Sequence, residues 1–507
     1  MGKQPAASLL IRIDSSGQLQ HQIYSGIRRA ILDGILLPGS RLPSSRAMAV
    51  DLGVSRTTTV LAYDQLLAEG YLAGRRGSGT YVAHQLPGDL LRTRTPRPAL
   101  SLTHAGVSNR GAALAATPPA ARRVGDTPRP FRLGVPPVDM FPLRLWSRLV
   151  SRRVRALTPA QLDYGEAAGM RRLREAIADH VRSSRGALCE ADDIIIVAGA
   201  QRGIEMVCRL LLDPGDEAWL EEPGYTGMRS ALVSVGARIV PVPVDGEGLD
   251  VEAGARLGGK ARLAYVTPSH QFPLGVPMSL PRRLALLKWA SAARAWVIED
   301  DYDSEFRFGS RAIPSLHGLD VDGRVLYVGS FSKTLFPALR LGFVIVPPEL
   351  QERMLSVRRT TDLSPPVLEQ AVLADFIAEG HFDRHLRRMR AICAERLEAL
   401  IYEAERLCRG GLKIRPVGTG MHAVADLDGV DAERVFNAAA DRGIEVMPIS
   451  TFFLGAPRAA NALMLGFACI TPEQTRSGIE RLAQALDAAR HPVRMRTSTR
   501  AAANDRA

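Results

Sequence analysis

Short runs of β-branched residues alternate with longer amphipathic segments from Phe131 onward, and this alternation most limits how the chain can fold. It predicts an α/β domain with a mainly parallel sheet, whose ligands bind at the carboxyl ends of the strands. Seven runs fit strands: "IIIVA", "AWLEE", "RIVPVPV", "RLAYVTP", "AWVIEDD", "VLYVGS" and "GFVIVP". The chain has 507 residues, and because single cores rarely exceed about 250–300 residues, a second domain is expected.

The N-terminal part has helical patterning instead. Isoleucines recur every fourth residue from Ile23 to Ile35, which predicts one amphipathic helix over 22–35. A second helix, "SRAMAVDLG", ends at Gly53. Ser55 fits the N-cap of a third, "RTTTVLAYDQLLAEG". We expect Val60, Tyr63 and Leu67 of that helix to face inward. The segment "YLAGRRGSGTYV" then reads as a β-hairpin, so residues 15–85 are predicted to form a winged helix.

A small helical unit can be a plain packing module, but charge favours nucleic-acid binding. The first 130 residues hold 16 Lys/Arg against seven Asp/Glu, out of a net charge of +12 for the chain. Arg56, Thr57 and Thr58 stand at the start of the third helix, where a recognition helix contacts base edges and phosphates. We therefore expect double-stranded operator DNA as a partner.

The segment from about Gln22 to Val82 closely resembles the DNA-binding domain of GntR-type bacterial regulators. The resemblance implies that five positions contact DNA: Arg46, Arg56, Thr57, Thr58 and Gly77.

Residues 86–130 are rich in Pro, Ala, Arg, Thr and Gly without helical or strand periodicity, which is typical of a flexible linker. As a coil it would span roughly 35–40 Å. The alternative, that the segment is only filler without a role of its own, is equally consistent with the sequence. From Arg490 onward five arginines meet one acid, and residues 490–507 are predicted to be a disordered basic tail.

Three segments of the α/β part carry groups suited to one cofactor. "IIIVAGAQRGIEM" runs from a strand through Gly199 into a helix, whose first amides, at Ala200 and Gln201, suit a phosphate. "VIEDDYDSEFRF" places Asp300 and Tyr302 just past a buried strand; taken alone, its acids fit a helix cap equally well.

The third segment, "YVGSFSKTLFPALRLGF", combines a lysine with phosphate-binding groups. Lys333 can form a Schiff base, while Ser330, Ser332 and Arg340 can bind a phosphate dianion. A lone lysine here is more often an ordinary surface residue. Pyridoxal 5′-phosphate is the cofactor that needs an amine, an acid, a phenol and a phosphate cradle together.

These segments resemble fold-type-I aminotransferases, and with the winged helix they resemble the MocR subfamily of GntR regulators, which are GabR-like. The resemblance implies that residues 131–489 form an effector domain with a small C-terminal α+β subdomain. It implies roles for these residues: Lys333 for the Schiff base, Asp300 for the pyridine nitrogen, Tyr302 for the ring hydroxyl, Tyr225 for ring stacking, Arg340 for the phosphate, and Tyr164 for the neighbouring subunit's phosphate. A homodimer is expected on the same grounds.

Two carboxylate-binding arginines of the family are replaced. Met464 stands where aminotransferases clamp the substrate carboxylate, and Gly227 where GabR-like regulators have a second arginine. Phe272 and Leu274 depart from the enzymes' Asn-Pro-Thr-Gly, although His270 and Gln271 keep polar reach toward the ring; Arg311 or His270 could supply a substitute clamp.

Three functions follow from these features. The favoured one is a transcriptional regulator whose aminotransferase-like domain binds pyridoxal phosphate and senses a small molecule, either the cofactor itself or an amine lacking the carboxylate. The others are an active aminotransferase with an accessory DNA-binding domain, and a regulator that has lost the cofactor. Without an apolar stretch of membrane-spanning length, a signal peptide or a C-x-x-C spacing, we expect a cytosolic protein with reduced thiols and no metal site.

Overall fold

The computed structural model describes residues 11, 18–75, 78–84, 86, 106–118, 129–308, 314–455 and 461–490. They belong to two compact units that divide between Gly106 and Val107. Each unit has its own hydrophobic core, as the chain length required. Within these ranges, helices of bilayer-spanning length and apolarity are absent.

The first unit is a winged helix, as predicted. Its elements are α1 Leu19–Leu32, α2 Ser45–Leu52, α3 Arg56–Ala68, and the antiparallel hairpin β1 Leu72–Arg75 and β2 Gly79–Val82. The Ser55 hydroxyl accepts a hydrogen bond from Thr58 N at 3.1 Å and caps α3, in agreement with the sequence. Gly53 ends α2 with a left-handed φ of 65°.

Two details of this unit differ from the prediction. Ile35 is 61% exposed, because α1 ends at Leu32 and Gly34 turns the chain with a φ of 74°. In α3, Tyr63 is buried as expected, but Val60 and Leu67 are only half-buried. The inward face is rotated and also contains Thr59, Ala62 and Leu66.

The segment 86–130 contains a helix that its composition did not predict. Residues Asn109–Ala116 form α4, which lies beside the helix Thr226–Val235 of the second unit. The Ser108 hydroxyl caps α4 by accepting from Gly111 N at 3.0 Å, and its alanines favour helix. Most of the remaining segment, and residues 491–507, lie outside the described residues.

The second unit is an α/β domain with seven of its strands at the predicted runs. Its elements up to the second sheet are α5 Leu143–Arg155, α6 Arg171–Arg185, β3 Ile194–Val197, α7 Ala200–Leu211, β4 Glu217–Glu222, α8 Thr226–Val235, β5 Arg238–Asp245, β6 Gly248–Leu249, α9 Val251–Leu257, β7 Leu263–Val266, α10 Leu280–Ala293, β8 Trp296–Asp301, α11 Leu316–Leu319, β9 Val325–Ser330, β10 Gly342–Ile345, α12 Pro348–Thr361, α13 Val367–Ala378 and α14 His381–Leu407.

The main sheet has the order β3-β10-β9-β8-β7-β4-β5-β6. Strands β9, β8, β7, β4 and β5 are mutually parallel, as predicted, whereas β10 is antiparallel to both of its neighbours. Successive residues of one strand face opposite sides, so Ile195 packs against α7 and α8 while Ile196 packs toward α6 and α13. Burial of both faces explains why the strand sequences are apolar throughout.

The C-terminal part forms the expected small α+β subdomain. Its elements are β11 Leu412–Ile414, β12 His422–Leu427, α15 Ala432–Asp441, β13 Met447–Pro448, β14 Ala462–Gly466 and α16 Pro472–Arg490. The strands form an antiparallel sheet in the order β11-β12-β14-β13. All five cysteines are buried free thiols, consistent with the sequence analysis.

Candidate functional site

The carboxyl ends of adjacent parallel strands bring the predicted acid and lysine together. Strand β8 pairs in parallel with β9, with Asp300 opposite Val328 and Asp301 opposite Gly329. The loop that carries Lys333 leaves the end of β9, so it lies beside the end of β8. This is the edge at which ligands of parallel sheets bind.

Asp300 is a buried carboxyl group with one oxygen open. Its Oδ2 accepts a hydrogen bond from the Tyr265 hydroxyl at 2.6 Å, while its Oδ1 is buried and has no partner among the described residues. Burial raises the pKa of Asp300 to about 7, although the Tyr265 hydrogen bond acts in the opposite direction. A carboxyl group with a free, desolvated oxygen fits the N–H of a pyridine ring.

Lys333 lies in a tight enclosure next to this acid. Its Nζ donates to the carbonyl oxygen of Gly134 at 2.8 Å. Gly134 has a φ of 73°, and a Cβ there would come 2.5 Å from the Lys333 Nζ, so a side chain at 134 would displace the amine. Burial lowers the pKa of Lys333, and the charges of Asp303 and Asp300 partly offset this. A lowered pKa increases the neutral fraction of the amine, which is the nucleophilic form.

A second cradle lies where β3 enters α7. Gly199 precedes the first turn of α7 with a φ of 85°, and a Cβ there would come within 3.1 Å of the Arg340 guanidinium. Arg340 Nη2 donates to Ala198 O at 3.0 Å, and no ion pair of Arg340 occurs with any described acid. The free amides of the helix N-terminus and an unneutralised guanidinium together suit a phosphate group. The predicted Ala200 and Gln201 begin α7.

Of the two predicted serines, Ser330 is the last residue of β9, beside this cradle, and Ser332 follows in the loop that carries Lys333. Ser330 pairs with Gly342 across β9 and β10, and its hydroxyl accepts from Ser332 N at 3.1 Å. A Cβ on Gly342 would come within 3.1 Å of Ala200 N, which places this strand against the start of α7.

Aromatic side chains enclose the same space. The Tyr225 hydroxyl donates to Gln201 Oε1 at 3.2 Å, and its ring is stacked with that of Tyr265 at 6.3 Å between centroids. The Tyr302 hydroxyl donates to the carbonyl oxygen of His270 at 2.9 Å. Tyr164, by contrast, is 79% exposed, and the structure does not bring it to the other predicted residues. Its contact with a neighbouring subunit stays a prediction.

The positions of the two missing arginines are closed. Met464 is fully buried on β14, opposite Val424 of β12 and Met447 of β13. At Gly227 a Cβ would come 2.3 Å from Gln201 Oε1 and 2.4 Å from the Tyr225 ring, so a side chain at 227 requires both to move. Of the two suggested substitutes, His270 is hydrogen-bonded to Asp303, and Arg311 lies outside the described residues.

Sequence reasoning missed several residues of this site. Tyr265 lies in the run "RLAYVTP", whose pattern indicates only a strand, and Asp303 lies in "VIEDDYDSEFRF", whose pattern points to Asp300 and Tyr302. Gly134 and His422 had no recognisable sequence signal, because each comes to the site through a distant part of the chain. The Nδ1 of His270 and the carboxylate of Asp303 are 3.0 Å apart, and His422 lies next to them.

The predicted DNA-contacting residues lie on the first unit. Arg56 and Thr57 are exposed in the first turn of α3, and Arg46 is exposed near the start of α2. Thr58 is half-buried, and its hydroxyl lies 2.8 Å from that of Ser55. Gly77 lies outside the described residues.

Comparison with known protein families agrees with both units. Residues 19–82 match the bacterial regulatory proteins of the gntR family, and residues 148–482 match aminotransferase class I and II. The class of protein is thus a DNA-binding winged helix joined to an aminotransferase-type domain.

Full-length relatives combine the same two parts. The chain is 42% identical over 94% of its length to the probable rhizopine catabolism regulatory protein MocR of Rhizobium meliloti, of which it covers 95%. It is 34% identical over 88% of its length to the pyridoxine biosynthesis transcriptional regulator PdxR of Corynebacterium glutamicum, of which it covers 91%. The chain belongs to the MocR-type regulators of the GntR family.

Solved structures identify the cofactor of this type of domain. The α-aminoadipate aminotransferase LysN of Thermus thermophilus, complexed with N-(5′-phosphopyridoxyl)-L-leucine, superposes with a TM-score of 0.65 and 29% identity. The match covers 71% of this chain and 92% of that one. Pyridoxal 5′-phosphate is the cofactor of this class, and the open Asp300 oxygen, the Lys333 enclosure and the Arg340 cradle fit it.

Proposed function

We propose that this DNA-binding regulator holds pyridoxal 5′-phosphate through Lys333 and uses the site to sense a small molecule. The observation that carries this proposal is that Asp300, Lys333 and Arg340 are arranged as a cofactor would need them, while the two carboxylate-binding positions are closed. When bound, the cofactor supplies an aldehyde carbon for an amine and a ring that withdraws electrons. Lys333 would bind the aldehyde, Asp300 would hold a proton on the ring nitrogen, and Arg340 with the start of α7 would bind the phosphate.

Turnover of amino acids is disfavoured by the same geometry. A transaminase must orient the substrate carboxylate so that the scissile bond stands perpendicular to the ring. Here Met464 belongs to an apolar cluster with Val424, Ile449 and Phe452. A carboxylate at this wall would be desolvated without a partner, which is strongly unfavourable. Binding without efficient turnover is therefore our proposal, with an active aminotransferase as the alternative that the test addresses.

The ligand that fits is one without a carboxylate. We favour the cofactor itself as the signal, and the similarity to a regulator of pyridoxine biosynthesis supports this choice. An amine that lacks a carboxylate is the second candidate, because it too would avoid an unpaired charge at the apolar wall around Met464. We further propose a homodimer, in which the exposed Tyr164 of each chain reaches the phosphate of the other.

Titration of operator binding tests the proposal. The duplex upstream of the protein's own coding region serves as the probe, first with pyridoxal phosphate and then with a matched panel of amines and amino acids. We expect pyridoxal phosphate or a non-carboxylated amine to change the affinity for DNA, while amino acids at the same concentration have no effect. An amino acid that alters DNA binding at micromolar concentration and is turned over would instead establish the aminotransferase.

A further inference from the structure

The hydroxyl group of Tyr302 takes part in two hydrogen bonds with one histidine. It donates to the carbonyl oxygen of His270 at 2.9 Å, and its oxygen lies 3.0 Å from Nδ1 of the same residue. A phenol has one proton, and the carbonyl oxygen can only accept it. The contact with Nδ1 therefore requires that the imidazole donates and the tyrosine oxygen accepts.

Asp303 selects the same tautomer of His270. Its Oδ1 and Oδ2 lie 3.0 and 3.1 Å from Nδ1. A carboxylate only accepts hydrogen bonds, so this contact also places the proton on Nδ1. His270 is 3% exposed and Asp303 is 2% exposed, so water does not compete for either group. The single Nδ1 proton of His270 is thus shared between the Asp303 carboxylate and the Tyr302 oxygen.

Glycine at position 420 leaves room for His270 and Asp303. Gly420 has a φ of 88°, and a Cβ there would come 2.0 Å from Cε1 of His270 and 2.8 Å from Oδ2 of Asp303. A side chain at 420 would therefore displace the imidazole and the carboxylate.

The aromatic residue Phe272 lies beside Tyr302, where it provides no polar side-chain group. Its ring meets that of Tyr302 edge-on, with 6.0 Å between centroids and an interplanar angle of 87°. Fold-type-I aminotransferases have an asparagine at the corresponding place, whereas phenylalanine has no hydrogen-bonding atom in its side chain. Residue 272 therefore offers no side-chain donor to a ligand beside Tyr302.

We propose that His270 and Asp303 are positioning residues that hold the Tyr302 hydroxyl as a donor for the anionic ring oxygen of the cofactor. This inference rests on the proposed function. Because the Nδ1 proton that Asp303 fixes is also directed at the Tyr302 oxygen, that oxygen is an acceptor on this side, and the phenol's own proton can turn from the His270 carbonyl oxygen to the ligand. Burial and the charges of Asp303 and Asp300 raise the pKa of Tyr302, which keeps the phenol protonated.

The same cluster has the composition of a cation site. One ligand atom from each of His270, Asp303 and His422 lies within 4.8 Å of the others. However, His270 Nδ1 already contacts both Asp303 and Tyr302, and His422 Nε2 lies 3.2 Å from the carbonyl oxygen of Pro273. These contacts favour the hydrogen-bonded arrangement, and the experiment distinguishes the two.

A pH titration of the bound cofactor can distinguish a positioning role of Asp303 from a purely electrostatic one, because the two roles shift the titration midpoint in opposite directions. Loss of a donor to an oxygen anion makes that oxygen more basic, so the protonated lysine–cofactor linkage persists to higher pH. Loss of the negative charge of Asp303 acts oppositely, because it destabilises a nearby cation. The other ionisable groups facing Tyr302 and Lys333 stay unchanged in these variants: Asp300, Asp301, Glu221 and His422.

The experiment is a pH titration of the visible absorbance of the full chain loaded with pyridoxal phosphate. We expect Tyr302→Phe and His270→Gln each to raise the midpoint by about one pH unit, roughly a tenfold change in proton affinity. Asp303→Asn should raise it by a smaller amount, because it also removes a negative charge that stabilises the nearby cation. His270→Asn is the matched control, because its amide nitrogen can replace Nδ1 whereas that of glutamine replaces Nε2. Its midpoint should stay near that of the wild type. Adding Asp303→Asn to Tyr302→Phe should cause no further rise.

Several results would overturn the inference. They are an unchanged or lowered midpoint in Asp303→Asn, a further rise in the double variant, or one divalent ion per chain whose removal by EDTA moves the wild-type midpoint. If Asp303→Asn does not fold by circular dichroism, the pair His270→Gln and His270→Asn decides alone, and equal midpoints refute positioning. A wild-type chain that shows no visible band with pyridoxal phosphate would refute the proposed function itself, which is a different outcome.

Discussion

The Nε of Arg185 donates to Oδ2 of Asp301 across 2.6 Å, and both side chains are only 2% exposed. The Tyr327 hydroxyl donates to the same oxygen at 2.5 Å. Asp301 is therefore paired with a buried cation, whereas the hydrogen-bond partner of Asp300 is the neutral Tyr265 hydroxyl. One oxygen of each acid, Oδ1, is buried without a hydrogen-bond partner among the described residues, so the counter-charge of Arg185 is what distinguishes the two adjacent acids.

Removing Arg185 should destabilise the large unit. Arg185→Met leaves Asp301 buried without its counter-charge, and breaking a buried pair in this way costs about 3–5 kcal/mol. Arg182→Met, one turn earlier on α6, breaks only exposed ion pairs with Asp179 and Glu190. That control should cost less than about 1 kcal/mol. Urea unfolding of the two variants provides the comparison, and equal losses would contradict this view of Asp301.

Lys333→Ala should abolish the visible absorbance that pyridoxal phosphate acquires on binding. The reason is that Lys333 is the amine enclosed against Gly134 and close to Asp300. The exposed Lys288 offers a control, and Lys288→Ala should keep the band. Borohydride reduction followed by peptide mass analysis locates the attachment. A cofactor mass on another lysine would refute the assignment.

Asp300→Asn should change stability in opposite directions with and without cofactor. Folding raises the pKa of Asp300 to about 7, so the protonated carboxyl favours the folded state, and this contribution is lost as pH rises through about 7. Without cofactor, the variant should match the wild type near pH 4 and be more stable at pH 8, by about 1–3 kcal/mol.

With pyridoxal phosphate bound at pH 8, the wild type should instead be more stable than Asp300→Asn, because the Asp300 carboxylate then pairs with the protonated ring. Thermal unfolding at the two pH values, with and without cofactor, measures both effects. A variant that is less stable than the wild type without cofactor at pH 8 would show that Asp300 is already paired in the unliganded site.

Arg340→Ala should weaken binding of pyridoxal phosphate more than binding of pyridoxal. A charged hydrogen bond to phosphate contributes about 1.5–3 kcal/mol, or roughly 10- to 150-fold in affinity. Pyridoxal lacks the phosphate and serves as the matched ligand, so its affinity should be almost unchanged. Fluorescence titration with both ligands checks this, and equal losses would mean that Arg340 supports the fold rather than the phosphate.

Arg46→Ala and Arg56→Ala should each weaken operator binding. Loss of an arginine that contacts a base costs about 1–3 kcal/mol and relaxes sequence preference. Arg29 is also exposed, but it lies in the last turn of α1 and not on α2 or α3, and it provides a charge-matched control. Footprinting on the upstream duplex compares the three variants. Wild-type protection by both Arg46→Ala and Arg56→Ala would exclude the proposed surface.

Local patterns in the sequence were sufficient for the elements and for much of the cofactor set. The isoleucine spacing predicted α1, the N-cap at Ser55 predicted the start of α3, and seven apolar runs predicted strands. These features depend on neighbours in the chain, because capping, helical periodicity and strand propensity act over a few residues. The family resemblance rested on the same segments, including the loop around Lys333.

Tertiary structure decided the features that depend on distant contacts. The antiparallel direction of β10, which brings Arg340 to Gly199, follows from sheet assembly and leaves no trace in an apolar run. The same is true of the meeting of His270, Asp303 and His422, which lie on three separate segments. Which of Asp300 and Asp301 has a buried counter-charge was also decided in this way, since that charge belongs to Arg185 on a helix more than 100 residues earlier. Hydrogen bonds and desolvation act between atoms that are close in space, and only the folded chain determines which atoms those are.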